Sequence, residues 1–421
     1  MNTQTTPLAY QDGVLTLDHI PLTEIAQSFG TPTYVYSYDG IVARWKAFDQ
    51  AFAQQPHLVC YAVKTNSNIA ILQSLAQQGA GFDIVSGGEL QRLLKAGADP
   101  KKIVFSGVGK SHEELILALT TGIKCFNVES EAELYRLEKL CSTLNIKAPI
   151  SVRVNPDVDP KTHAYISTGL KENKFGVSFD TAFKLYLHAQ KSAHLEVTGI
   201  DCHIGSQLLD ISPLKEAAQK VLRFQQRLAE EGIQIHHIDM GGGLGINYTD
   251  EHNAPSPEDY VQLLVDTIGQ PHIEILVEPG RSIIGNQGVL LTKVEYLKQS
   301  EDKHFTIVDA AMNDLIRPAL YGAWQEIVTV KQAKEPSSSL TDVVGPVCET
   351  GDFLGKGRSI NAQEGDLLAI LSAGAYGFTM SSNYNSRGRS AEVLIKDGKA
   401  ICIRRRETFE DIVSCETLMN E

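Results

Sequence analysis

Nowhere in the 421 residues do eighteen apolar residues run together, so no membrane-spanning helix is expected. Met1 to Ile20 lacks the basic flank and apolar centre of an export signal. Positive charge is scarce: Lys and Arg number 38 against 51 Asp and Glu, a formal charge of −13. Nucleic acid and anionic membrane surfaces are therefore poor general partners, and any anionic ligand must be met by a few placed cations. The seven cysteines (Cys60, Cys125, Cys141, Cys202, Cys348, Cys402, Cys415) are odd in number and form no C-x-x-C pair. That pattern suggests neither a disulfide framework nor a zinc ribbon, gives no metal site, and suits a reducing cytoplasm.

What is present is an ordinary globular composition, 43% hydrophobic and 21% charged, in a chain too long for one growing core. Two domains are expected. A βα rhythm supplies eight candidate strands at 58–63, 82–85, 102–105, 124–128, 150–154, 197–203, 235–240 and 273–278. Amphipathic helical stretches lie between most of them, for example Gly88 to Ala96, His112 to Thr120, Glu131 to Leu144 and Pro213 to Glu231. Eight alternating strands over about 240 residues predict a (β/α)8 barrel, with an open doubly wound sheet as the alternative. After Gly280 strands follow one another with few helices between. The stretches at 289–296, 305–309, 366–371 and 391–395, and a hairpin closed by Lys396-Asp397-Gly398-Lys399, predict a C-terminal β-rich domain. The division expected is a barrel over 36–280 and a β-rich domain from 1–35 plus 281–421.

In a parallel barrel chemistry is done at the C-terminal ends of the strands. Six strand-forming residues, Leu58 to Val63, stop at Lys64, and Thr65, Asn66, Ser67 and Asn68 offer helix-capping side chains before the apolar periodicity of Ile69 to Ala76. A lysine there can have its pKa lowered by burial and act as an amine nucleophile, or can simply reach water. His203 closes another strand ahead of the small-residue loop Ile204-Gly205-Ser206-Gln207. Gly241-Gly242-Gly243 exposes backbone N–H groups that can wrap an oxyanion, although a tight turn explains such a run equally well. Glu278-Pro279-Gly280-Arg281 adds a carboxylate, open backbone and a guanidinium. Cys348-Glu349 sits in a glycine- and proline-punctuated loop, and Tyr376 stands between small residues in Ala373 to Gly377.

Jointly these motifs, with Tyr61-Ala62-Val63-Lys64-Thr65-Asn66 and Phe82-Asp83-Ile84-Val85-Ser86-Gly87-Gly88-Glu89-Leu90, come in the order seen in diaminopimelate decarboxylases, and the chain resembles that family over nearly its whole length. Those are pyridoxal-phosphate enzymes of the alanine-racemase-like barrel class. His163 to Gly169 and Asn173-Lys174-Phe175-Gly176 look like the lysine-pathway branch rather than the ornithine or arginine decarboxylases. The resemblance implies decarboxylation of meso-2,6-diaminopimelate to L-lysine and carbon dioxide. It implies that Lys64 forms a Schiff base with pyridoxal 5'-phosphate, that His203 stacks on the cofactor ring, and that Glu278 pairs with the pyridine nitrogen. Ser206, Gly242, Gly243, Gly280 and Arg281, helped by Tyr376, would hold the phosphate. Arg281, Arg317, Tyr321, Tyr376 and Glu349 would bind the substrate's far carboxylate and amine, and Cys348 would supply the proton that replaces carbon dioxide. Cys348 and Glu349 would serve the partner subunit of a homodimer with shared active sites.

Chemistry supports two of these roles apart from the resemblance. A carboxylate facing the pyridine nitrogen keeps it protonated and makes the ring a deep electron sink, which suits decarboxylation better than racemisation. A guanidinium fork with a carboxylate nearby suits a substrate that is an amino acid at both ends, although Arg317 could also be a salt-bridged surface residue. The alternatives are a decarboxylase for another basic amino acid or a carboxylated polyamine, and a non-catalytic pyridoxal-phosphate-binding or regulatory protein. The segment 160–176 is glycine-containing and polar enough to close over a substrate.

Overall fold

The computed structural model describes residues 7–159, 174–301, 303–333, 335 and 339–419. The chain divides into two units: one of Val42–Ile246 and Asn253–Ile283, the other of Met1–Ile41, Asn247–His252 and Ile284–Glu421. The expected breaks at 35/36 and 280/281 thus lie a few residues early. The β-rich unit also takes in a segment assigned from sequence to the barrel, because the Tyr248 hydroxyl accepts a hydrogen bond from Arg317 Nη1 (2.6 Å) and the Asn247 carbonyl accepts one from Asn286 (3.3 Å).

Eight parallel strands close the first unit into a barrel: β1 (His57–Ala62), β2 (Gly81–Ile84), β3 (Ile103–Phe105), β4 (Cys125–Val128), β5 (Ala148–Val154), β6 (Leu195–Cys202), β7 (His237–Asp239) and β8 (Glu274–Val277). Neighbours in sequence are neighbours in the sheet, and β8 returns to β1 through Leu276 opposite Leu58. Every expected strand is found within about two residues, which excludes the open sheet. Helices Ile69–Gln77, Phe179–Lys191 and Pro257–Ile268 complete the rhythm. Helix starts in this unit follow from capping: Ser86, Ser111, Ser130, Ser178 and Ser256 each accept a backbone N–H of the first turn of the helix that follows.

A buried apolar cluster of Leu58, Cys60, Val104, Cys125 and Leu276 joins four of the strands. Barrel interiors are usually dominated by branched apolar residues. Here Asp83, Asn127, Ser151, Arg153, Asp201 and Asp239 also lie on barrel strands, each buried. Arg153 on β5 stands in register with Asp201 on β6, and Asp201 with Asp239 on β7.

The second unit is built on a nine-stranded sheet. At its centre Thr33–Ser37 lies antiparallel to Gly288–Gln299 and parallel to Ala391–Lys396. This N-terminal stretch, which reads from sequence as a strand or an extended arm, is thus a fully buried strand, and Val35 joins Leu17, Val289, Leu291, Ala369 and Val393 in the core. Three short strands not foreseen, Ile327–Thr329, Thr341–Val344 and Phe353–Arg358, extend the sheet. The C-terminal hairpin turns on Asp397 and Gly398, both at positive φ, as a two-residue turn between right-twisted strands requires. Among the described residues no helix is long and apolar enough to cross a membrane.

Candidate active site

Lys64 does not pass straight from strand to capped helix. A single 3-10 turn, Val63–Thr65, follows β1, and of the four foreseen caps only Asn68 serves, its side chain accepting the Ala70 N–H. The amine is not desolvated as expected either: the side chain is 39% exposed and Nζ is ion-paired with the fully buried carboxylate of Asp83 on β2.

His203 follows β6, and its Nδ1 accepts the Gly242 N–H at 3.2 Å, which fixes an unprotonated Nδ1. Burial, with the Arg153 and Lys64 charges added, holds its pKa well below the usual histidine range. The imidazole is neutral, with its ring oriented by a backbone bond. The glycine run after β7 is dictated by close approach. A Cβ on Gly242 would stand 2.2 Å from the Glu278 carbonyl oxygen, and one on Gly243, at φ 105°, 2.3 Å from that of Gly205. The loops after β6, β7 and β8 are thereby drawn together, and Arg281 Nη2 donates to Ser206 Oγ across them at 3.0 Å.

Glu278 follows β8 and is buried, with Ser106 Oγ 3.5 Å from Oε1. Its carboxyl oxygen lies within 4.8 Å of those of Asp201 and Asp239. Burial first, and then the negative charge of Asp239, Asp83 and Asp201, pushes its pKa far above the carboxylate range. Asp239 is pushed up to about 6 by burial. Against these acids stand two cations: Lys64, and Arg153, which holds Glu129 at 2.8 Å and lies 3.9 Å from Asp201.

The remaining residues singled out from sequence lie in the β-rich unit. Arg317 begins the helical turn Arg317–Tyr321 and is buried, its guanidinium on the Tyr248 hydroxyl and over that ring, so the surface salt-bridge alternative fails. Tyr321 ends the same turn and is half-buried. Cys348 and Glu349 are both exposed in the loop between Thr341–Val344 and Phe353–Arg358, with the Cys348 N–H bonded to Asn385 Oδ1 at 2.8 Å. Tyr376 is half-buried with φ 55°, a left-handed conformation that costs a non-glycine residue energy and is concentrated at working sites. Of the segment 160–176, residues 160–173 lie outside the described residues. Phe175 lies beneath the Arg153 guanidinium, and the Gly176 N–H bonds Glu129.

The barrel mouth therefore brings together Lys64, His203, Ser206, Gly242, Gly243, Glu278, Gly280 and Arg281. Pyridoxal phosphate needs an amine for its aldehyde, oxyanion donors for its phosphate and a carboxyl for its ring nitrogen. Lys64, the Ser206–Arg281 and glycine loops, and Glu278 meet those needs. The buried acids outnumber the cations beside them, so a ring with a protonated nitrogen also supplies charge that the site lacks. Asp83, Arg153, Asp201 and Asp239 were not singled out from sequence; the available signal was charge at alternate positions of strands that must be covered on the outside by helices.

A family model described as "Pyridoxal-dependent decarboxylase, pyridoxal binding domain" matches residues 38–285. The diaminopimelate decarboxylase of Pseudomonas aeruginosa is 54% identical over 411 residues, spanning 98% of this chain and 99% of that one. Two solved structures carry the likeness into three dimensions. Diaminopimelate decarboxylase from Helicobacter pylori complexed with L-lysine is 45% identical with a TM-score of 0.90, covering 94% and 99% of the two chains. That from M. jannaschii in co-complex with L-lysine is 38% identical with a TM-score of 0.93, covering 98% of each. The chain belongs to the diaminopimelate decarboxylase family of pyridoxal-dependent carboxy-lyases.

Proposed function

We propose that this chain decarboxylates meso-2,6-diaminopimelate to L-lysine and carbon dioxide, the last step of lysine biosynthesis, as a cytoplasmic homodimer with shared active sites. The observation that carries the reading is the meeting of Lys64, neutral His203 and buried Glu278 at the C-terminal ends of β1, β6 and β8, in a chain whose relatives at about half identity are named for that activity.

Bound pyridoxal phosphate supplies an aldehyde that captures amines and a ring that accepts the electrons left when carbon dioxide departs. Lys64 would hold it through its amine, and Asp83, already ion-paired with Lys64 Nζ, would steady the lysine as an ammonium when it is not so engaged. His203, held edge-on by the Gly242 N–H, presents an uncharged face for stacking. Ser206, Gly242, Gly243, Gly280 and Arg281, with the Tyr376 hydroxyl, hold the phosphate, and Glu278 meets the ring nitrogen. Arg281, Arg317, Tyr321, Tyr376 and Glu349 take the far carboxylate and ammonium of the substrate. A fork with two parallel donors fits a carboxylate better than a point charge does. Cys348 delivers the proton that replaces carbon dioxide.

Lys64→Ala tests the reading. The purified variant should be colourless in the visible range and inactive, and a variant that stays yellow with added cofactor overturns the assignment. Lysine and carbon dioxide should form in equal amounts from meso-diaminopimelate; faster turnover of lysine or ornithine would favour the other basic-amino-acid decarboxylases.

A further inference from the structure

The role given to Glu278 needs a proton between a carboxyl and a ring nitrogen, and the structure carries more buried acid there than one such pair explains. Asp239 ends β7 directly in register with Asp201 on β6, with its Oδ1 fixed by the Gly241 N–H at 2.9 Å. Its Oδ2, and Asp201 Oδ1, are buried with no hydrogen-bond partner among the described residues. The Glu278 N–H in turn donates to the Gly241 carbonyl at 2.8 Å, so the backbone that anchors Asp239 also anchors Glu278. Tyr260, itself buried, donates its hydroxyl to the Gly241 and Gly242 carbonyls at 3.2 and 3.1 Å, which stiffens that backbone. Carboxyl oxygens of Asp201, Asp239 and Glu278 fall within 4.8 Å of one another, and three carboxylates at that spacing cannot all be ionised away from water.

Where the protons reside follows from the neighbours. Asp201 faces the Arg153 guanidinium, and Asp83 faces Lys64. Asp239 and Glu278 have no cation in contact among the described residues, and the thiols Cys60 and Cys125, also near Asp239, are buried and un-ionised. A proton on Glu278 would be stabilised by a hydrogen bond to the nearby Asp239 carboxylate, and burial raises both acids.

We propose that Asp239 is a positioning residue for Glu278: its carboxylate accepts the hydrogen bond of the protonated Glu278 carboxyl and so keeps at the foot of the site a proton that the ring nitrogen of bound pyridoxal phosphate takes. In that step the Glu278 O–H bond breaks, its electron pair stays on the carboxylate, and an N–H bond forms. The positive ring then stands against two carboxylates rather than one, which raises its hold on the proton and deepens the electron sink. The inference rests on the reading of Glu278 as the ring-nitrogen partner.

The test uses holoenzyme carrying cofactor with a labelled ring nitrogen, whose resonance reports protonation directly, in wild type, Asp239→Asn and Glu278→Gln. Asparagine keeps the acceptor for the Gly241 N–H but turns a donor toward Glu278. Wild type should hold the ring proton between about pH 6 and 9. Asp239→Asn should lose it at a pH lower by about one unit or more, with kcat reduced roughly 10- to 100-fold and KM for diaminopimelate within about twofold, the scale on which a residue acting through another is felt. Glu278→Gln should lose the ring proton throughout. If Glu278→Gln loses it and Asp239→Asn titrates like wild type, the inference is overturned while the Glu278 reading stands. If Glu278→Gln keeps it, the Glu278 reading falls and the inference with it. Should Asp239→Asn fail to fold, Asp201→Asn replaces it: a smaller shift in the same direction supports the shared proton, and a profile equal to wild type rejects it.

Discussion

In the reaction proposed above, Cys348 and Arg317 would be loaded in different ways. The Cys348 thiol is exposed and the residue is held through its backbone N–H, so Cys348→Ala should leave folding and cofactor colour intact while lysine formation falls by about 10²- to 10⁴-fold, the usual cost of a lost proton donor. Absorbance and product assays on one sample separate the two. Arg317 is buried against Tyr248, and Arg317→Lys keeps the charge but loses the fork. KM for diaminopimelate should rise about tenfold or more, as a charge-assisted bond of roughly 1.5 to 3 kcal/mol predicts, with colour unchanged. Asp239 gives a pH signature. Its folded pKa is raised to about 6, above the ordinary aspartate value near 4, so its contribution to stability is greatest below that ordinary value and is lost as pH rises through about 6. Denaturant unfolding of cofactor-free wild type and Asp239→Asn should therefore show the variant gaining on wild type between those limits. The meeting of Lys64, His203 and Glu278 at the barrel mouth was legible because each ends a strand, whereas Asp239 reads only as one more polar residue at a strand terminus.

Elements explain why the charged interior of the barrel stayed hidden. Ser151-Val152-Arg153-Val154 alternates, and alternation in a strand ordinarily means apolar side inward and polar side to water. In this barrel Ser151 and Arg153 are buried rather than turned to water, against the usual apolar filling, so the same pattern carries a different meaning. Helix starts, by contrast, were local. Ser111 and Glu114 form a reciprocal cap, and Ser111→Ala should destabilise the barrel by about 1 kcal/mol with kcat untouched, read as a shift in unfolding midpoint. Gly242 belongs to both kinds of information. A turn and a phosphate loop look alike in sequence, but the 2.2 Å approach to the Glu278 carbonyl makes alanine incompatible with the present backbone. Gly242→Ala should lower both the melting temperature and cofactor affinity, the latter by about tenfold or more if the loop holds the phosphate, since a factor of ten is only about 1.4 kcal/mol. A variant that loses stability and still binds cofactor like wild type would return the glycine run to a turn.

At the scale of the whole molecule, the proposed sharing of sites between subunits makes a prediction that no single residue can. Lys64→Ala should be inactive and Cys348→Ala nearly so, but a mixed dimer in which one subunit supplies the lysine and the other the cysteine would have one native site. Random mixing after dissociation should restore up to roughly a quarter of wild-type activity, and no recovery argues against exchange of groups between subunits. The division into a βα unit and a β unit was legible from the change of rhythm after residue 280, but the membership of 247–252 was not, because it depends on long-range partners such as Arg317 and Asn286. The placement of Thr33–Ser37 bears on how the protein is made. Its parallel neighbour, Ala391–Lys396, is translated more than 350 residues later, and at about 5 to 20 residues per second this strand waits roughly 20 to 70 seconds on the ribosome for its second flank. A newly made amino terminus thus stays in need of shielding until the last strands emerge, and nascent chains halted before residue 391 should be cut by protease near 33–37 while finished chains resist.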